Sequence, residues 1–325
     1  MPRSKLLLLL SLATLFAPAY AQSANQARPG TLNYVEGQAS IDGRQVSPQS
    51  VGSAELQPGQ YLATADGKAE ILLTPGVFLR LDNNSTVKMI KPDLTHTEVS
   101  IERGRASVEA DQLLPQNLIL IDQKNGQTQL LKNGLYEFNA ENNTVRTFDG
   151  KAAVFPGNDM QSNVKPIDVK GGRQLALNGE PAKPQGFDKK QSQDDLYKWS
   201  SLRSQYLGEA NVDLAAQYAG YGGAFNPGWY WDSSLYAYDW LPGGWDPFFS
   251  PFGYGFYSPY YLYGGGFVYG RGFYGRGYGY RGGYGFSGVH GGGFRGGAVG
   301  GHAVGGGGFG GGGGFHGGGG GGGHR

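Results

Sequence analysis

The 325-residue chain contains no cysteine. Disulfides, thiolate metal sites, a cysteine nucleophile and a lipidated N-terminal cysteine are excluded with it. Charge is also sparse: Asp, Glu, Lys and Arg make up 16% of the residues, against about a quarter in typical soluble domains. The formal net charge is +1. Residues 22–218 hold 20 basic and 23 acidic residues, a sign that matches poorly with nucleic acid, for which a clustered basic footprint is the first requirement. Beyond the first 21 residues, no apolar run approaches the roughly 20 residues that a membrane-spanning helix needs. From Gly264 onward there is neither leucine nor isoleucine. What the chain does have is unevenly placed. From Ala219 to the C terminus lie 43 of the 60 glycines and 29 of the 43 aromatic residues. An ordinary aliphatic-bearing stretch is therefore joined to a Gly- and aromatic-rich one.

The N terminus reads as an address. Arg3 and Lys5 precede the apolar stretch Leu6–Ala17, and Ala19-Tyr20-Ala21 supplies the small-x-small pattern of a cleavage site. Residues 1–21 are thus expected to be a signal peptide cut before Gln22. The mature chain is then expected to be periplasmic, in the cell envelope or secreted, with no transmembrane span.

Between Thr31 and Leu177 turn pairs recur, among them Pro58-Gly59, Asp66-Gly67, Pro75-Gly76, Asn83-Asn84, Asn125-Gly126, Asn133-Gly134 and Asp149-Gly150. Several accept the positive φ of tight hairpins. Between them lie runs of strand length: Ala69–Leu73, Val77–Leu81, Thr86–Ile90, Glu98–Glu102, Leu118–Asp122, Leu135–Phe138, Thr144–Phe148 and Lys151–Phe155. Thr86–Ile90 and Thr97–Ile101 alternate polar with apolar residues, which puts one face inward and one in water. The pattern predicts an all-β domain over residues 30–178, a sandwich or short β-solenoid of two lobes with Gln112–Asn117 as the joint.

One helix is predicted over residues 192–218. Ser192 is the expected N-cap with Asp195 three residues on, and Leu196, Trp199, Leu202, Tyr206 and Leu207 recur at helical spacing. Trp199 is expected to pack this helix on the sheet. Residues 30–218 are expected to carry their own core. The aromatic, Gly- and Pro-rich segment over 219–263 shows no helical or strand period. Three roles are open to it: stacking on carbohydrate, contact with an envelope surface, or cover for an exposed face of the β domain. Trp229, Trp231, Trp240, Trp245 and Tyr254 are its candidate interaction residues. Residues 264–325 are expected to be disordered as a monomer, because glycine gives up the most backbone freedom on ordering and few side chains offset that loss. Spaced Tyr and Arg residues there are candidates for self-association.

The residues that carry chemistry are few. His96 lies in a turn-like stretch, Asp93-Leu94-Thr95-His96, and is expected to be a solvated loop residue. Gly285-Phe286-Ser287-Gly288-Val289 does not have the nucleophile-elbow spacing. Asp82-Asn83-Asn84-Ser85 lacks the later acidic ligand of a calcium loop. His290, His302, His316 and His324 are irregularly spaced in Gly-rich sequence, which would have to be ordered before it could hold a metal. The expectation is a non-enzymatic protein with no catalytic residue, cofactor or dedicated metal site.

The strand series resembles the FecR-type domain of periplasmic iron-transport regulators. The matching stretches are Val35-Glu36-Gly37-Gln38-Ala39, Leu56-Gln57-Pro58-Gly59-Gln60-Tyr61-Leu62, Ala69–Leu73, Val99-Ser100-Ile101-Glu102-Arg103-Gly104, Gly134–Phe138 and Thr144–Val154. The resemblance covers residues 30–178 and implies an exported all-β domain of binding or scaffold type. Family members that act as transmembrane regulators carry a sigma-factor-binding segment and a membrane helix before this domain, where this chain has a signal-type N terminus. The expected function is an exported binding or scaffold protein of the envelope, with an envelope protein or glycan as partner. The alternative is a signalling component that relays envelope state to a separate membrane regulator. Mass spectrometry of the exported protein should find Gln22 at its N terminus. An intact Met1 on most of that pool would overturn the assignment of residues 1–21.

Overall fold

The computed structural model describes residues 27–157, 165–178, 183–219 and 225–264. The expected signal peptide and the Gly-rich tail beyond Gly264 lie outside them. Along the chain come β1 (Leu32–Ile41), β2 (Arg44–Val46), β3 (Tyr61–Thr74), β4 (Val77–Leu81), β5 (Thr86–Pro92), β6 (His96–Arg103) and β7 (Arg105–Ala110). They are followed by β8 (Leu118–Gln123), β9 (Gly126–Leu130), β10 (Gly134–Asn139), β11 (Thr144–Asp149) and β12 (Lys151–Pro156). The short strands β13 (Ile167–Lys170), β14 (Arg173–Ala176) and β15 (Gln185–Gly186) complete the series before helix α1 (Asp195–Ala219). All eight expected strand runs are strands. Among the described residues no helix is long and apolar enough to cross a membrane.

The protein is mostly β, built on one large curled sheet. Its order is β13-β12-β9-β8-β6-β5-β3-β4-β7-β10-β11-β14-β15, with β1 paired to β3 and β2 to β1. The two lobes expected from sequence interleave in this sheet. β8 pairs in parallel with β6, from His96 opposite Leu118 to Ser100 opposite Asp122, while β10 pairs with β7. Strands after the Gln112–Asn117 joint thus flank the earlier ones on both sides. The inward residues, including Leu32, Ile71, Leu79, Val108, Ile121 and Val154, form one apolar core.

Two local expectations are corrected. Asp66-Gly67 is not a turn but part of the long strand β3, where Gly67 lies opposite a register shift at Gly37. A Cβ on Gly67 would stand 2.4 Å from the Glu36 carbonyl oxygen, so glycine there permits close approach of two backbones. Helix α1 begins after Asp194, not at Ser192. The Asp194 carboxylate accepts from the Tyr197 N–H at 3.1 Å, whereas the Ser192 N–H is engaged in a turn with the Asp188 carbonyl. Leu196 and Leu207 are buried, but Leu202 and Tyr206 are exposed. Trp199 is half-buried against Tyr34 of β1, with ring centroids 6.0 Å apart.

After α1 the aromatic segment forms a cap. It contains the hairpin β16 (Gly228–Asp232) and β17 (Ala237–Leu241), the short pair β18 (Phe248–Phe249) and β19 (Gly255–Phe256), and helix α2 (Pro259–Gly264). Trp229, Tyr238, Trp240 and Phe256 of the cap share a buried cluster with Leu72 and Phe78 of the sheet and Leu207 of α1. Gly76, at φ +80° in the β3–β4 turn, lies under the Trp240 ring, 3.1 Å from where a Cβ would stand. The segment therefore covers a β face, the third of the roles open to it, and residues 30–218 do not hold their whole core. A chain ended at Gln217 should bind a hydrophobic dye and melt less cooperatively than the full chain, because Leu72 and Phe78 lose their cover. An unchanged cooperative melt by circular dichroism would show that the cap is dispensable to the fold.

Candidate functional site

Strand β4 is buried along its whole length. Val77, Leu79 and Leu81 face the core, so by alternation Phe78 and Arg80 face the other way, toward α1 and the cap. Glu70 of β3 stands opposite Arg80, and Ser107 of β7 flanks Arg80 on the other side. The outer face of the three central strands is thus charged, yet it is dry: Glu70, Arg80 and Glu109 have no exposed surface. Arg80 Nε donates to Glu70 at 2.7 Å, and its Nη1 donates to Glu109.

Helix α1 meets this face with polar side chains. Arg203 donates to Glu70 at 3.0 Å, and Ser204 donates to Glu109 at 2.6 Å. The Ser200 and Ser107 hydroxyls lie 2.8 Å apart. The two arginines hold the Glu70 carboxyl well below the usual range, at about 2, despite its burial. Two buried asparagines then clip the cap backbone. Asn33 donates to the Tyr238 carbonyl at 3.0 Å and accepts from the Tyr238 N–H at 2.7 Å, as a neighbouring strand would. Asn211 donates to the Trp240 carbonyl at 2.8 Å and accepts from the Tyr257 N–H at 2.6 Å.

The cap divides the five candidate interaction residues. Trp240 and Trp229 are buried and belong to the cover. Trp231 is half-buried, edge-on to Tyr236 at 5.1 Å. Tyr254 is half-buried along α1, its hydroxyl 3.4 Å from that of Ser201. Trp245 is 64% exposed, and Phe249, which sequence reasoning did not single out, is 62% exposed. The Trp245 ring rests against Tyr260 at 5.6 Å, and the Tyr260 hydroxyl donates to the Phe225 carbonyl at 3.1 Å. Ser258 donates to the Gly244 carbonyl beside Trp245. The loop carrying the exposed tryptophan is thus held by Ser258 and its ring is braced by Tyr260.

Other perturbed groups sit elsewhere on the sheet. Burial pushes the Glu137 carboxyl up to about 7 although Arg146 donates to it at 3.0 Å. Burial, together with Glu98 and Glu102, raises Asp122 to about 6. Arg105 joins Asp82 of the β4–β5 turn to Asp194 at the head of α1. His96 is not a loop residue: it opens β6 and lies between Lys91 and Glu98.

No family model and no curated protein sequence matches the chain. Two crystal structures of a candidate anti-sigma factor from Parabacteroides distasonis ATCC 8503 overlap with it in part. The first does so at 13% identity and a TM-score of 0.33, over 44% of this chain and 64% of that one, slightly under two thirds of its length. The second does so at 12% identity and the same TM-score, over 49% of this chain and 72% of that one. The overlap is local and coarse, and nothing about function follows from it.

The buried charges make a sharp prediction. Arg80→Leu would leave Glu70 and Glu109 short of their shared cation, and breaking a buried pair in this way costs about 3–5 kcal/mol. Denaturant unfolding should register that loss. A change below about 1 kcal/mol, the scale of a surface pair, would contradict a dry network.

Proposed function

We propose that the protein is a non-enzymatic binding or scaffold module of the cell envelope, a stand-alone relative of the FecR-type domain family. The observation that carries this reading is the cap. It covers the sheet with one set of aromatic residues and presents another, Trp245 and Phe249, to solvent from a pinned backbone. A large exposed aromatic held on an ordered loop loses little conformational freedom on binding, and such residues dominate interface energetics. The signal-type N terminus supports placement outside the cytoplasm, where the partner is an envelope protein or glycan. The FecR-like stretches between Val35 and Val154 support the family assignment, since they coincide with strands and turns of the sheet.

Retention of the exported chain in envelope fractions tests the proposal. Trp245→Ala with Phe249→Ala should weaken retention by about thirtyfold, the scale of one hot-spot residue, while thermal stability stays near that of the wild type because both side chains are exposed. Full retention of the double variant would remove the cap from the binding surface. Recovery of a discrete membrane regulator, in place of wall or matrix material, would replace scaffolding with the signalling alternative.

A further inference from the structure

Four carboxyl groups and two guanidinium groups meet where the cap and α1 close over the sheet. Glu70 is shared by Arg80 and Arg203, and Glu109 is paired with Arg80. Both cations are engaged in these pairs, with Arg80 Nη2 and Arg203 Nε left without a hydrogen-bond partner. Asp111, just after β7, and Asp239, on β17 of the cap, are buried without a cationic hydrogen-bond partner. Both Asp111 carboxyl oxygens and Asp239 Oδ2 have no donor. The one donor to Asp239 is the Trp240 N–H, at 2.7 Å from Oδ1. With all four acids ionised, this junction would hold two uncompensated negative charges away from water, which costs several kcal/mol per ion.

We propose that the cap is a proton-controlled lid, which seats on the sheet with Asp111 and Asp239 neutral and loosens when they ionise. The charged groups facing each come from the sheet, the cap and α1. Asp111 faces Glu109 and Arg80 from the sheet and Asp239 from the cap. Asp239 faces Asp232 from its own hairpin, Glu70 from the sheet and Arg203 from α1. The remaining buried polar groups of this junction, Asn33, Ser200, Ser204 and Asn211, do not titrate. Burial, reinforced by the neighbouring carboxylates, holds both acids well above the usual aspartate range. When protonated, Asp111 has the Glu109 carboxylate beside it as an acceptor.

The sign of the pH dependence follows. An aspartate freed by cap opening returns toward an ordinary pKa near about 3.9, whereas seating raises it, so seating takes up protons. The seated state is fully favoured below about pH 4 and weakens as pH rises toward the raised values, by at most about tenfold per pH unit for each carboxyl. Opening uncovers Leu72 and Phe78 while α1 keeps its hold on the charged row, so pH would govern access to the apolar part of that face.

Hydrogen exchange of the full chain between pH 5 and pH 8, corrected to protection factors, tests this with β12 as the internal reference. Protection of peptides covering 228–241 and 255–258 should fall by about tenfold or more relative to β12, following the linkage slope. Asp111→Asn with Asp239→Asn keeps the shape and removes the charge, and its protection should change by less than about twofold over the same range. Should the double variant fail to fold, Asp239→Asn alone should show a shallower slope than the wild type. A flat wild-type profile, or a folded variant that keeps the wild-type slope, would overturn the proposal. Loss of envelope retention in the Trp245 and Phe249 variant leaves this result untouched, so the two readings fail separately.

Discussion

Much of the protein's architecture depends on one constraint, the guanidinium of Arg80 on a fully buried strand. A charged group in that position must be paired and hydrogen-bonded, or the fold loses several kcal/mol. Glu70 and Glu109 supply the charge from the adjacent strands. Their remaining oxygens need donors, which α1 provides through Arg203 and Ser204. The helix is therefore bound to the sheet by its polar face. A pair of this kind adds less to net stability than apolar packing would, but its geometry allows few alternative arrangements of helix on sheet.

The cap extends the same logic. It must exclude water from the charged row while satisfying its own backbone, and the side-chain amides of Asn33 and Asn211 do the latter by standing in for strand neighbours. Trp229, Trp240 and Phe256 seal the apolar part of the junction. What is left over in the same short segment, Trp245 and Phe249, faces outward. Cover and candidate contact surface are thus two faces of one element.

Local signals were legible where the physics is local. Asn84, in the expected turn pair Asn83-Asn84, sits at φ +50°, as turn chemistry requires, and the alternation over Thr86–Ile90 and Thr97–Ile101 does place one face inward. The same rule could not have placed Glu70, Arg80, Ser107 and Glu109, which are buried. Alternating polar residues on a strand look identical in sequence whether water or a polar helix lies over them. The helix was misjudged for the matching reason: Leu202 and Tyr206 suggested the buried stripe, while Ser200, Arg203, Ser204 and Asn211 occupy it.

By itself the sequence determined eight strands of the large sheet, most of the turns and the presence of one long helix, because each depends on neighbours within a few residues. Only the tertiary structure decided that β8 joins β6 in parallel, merging two expected lobes into one sheet. It also decided that the charged face is dry and that the aromatic segment closes over it. Those outcomes rest on contacts between residues as far apart as Asn33 and Tyr238, whose pairing is set by the packing of whole elements and by the need of every buried charge and backbone group for a partner.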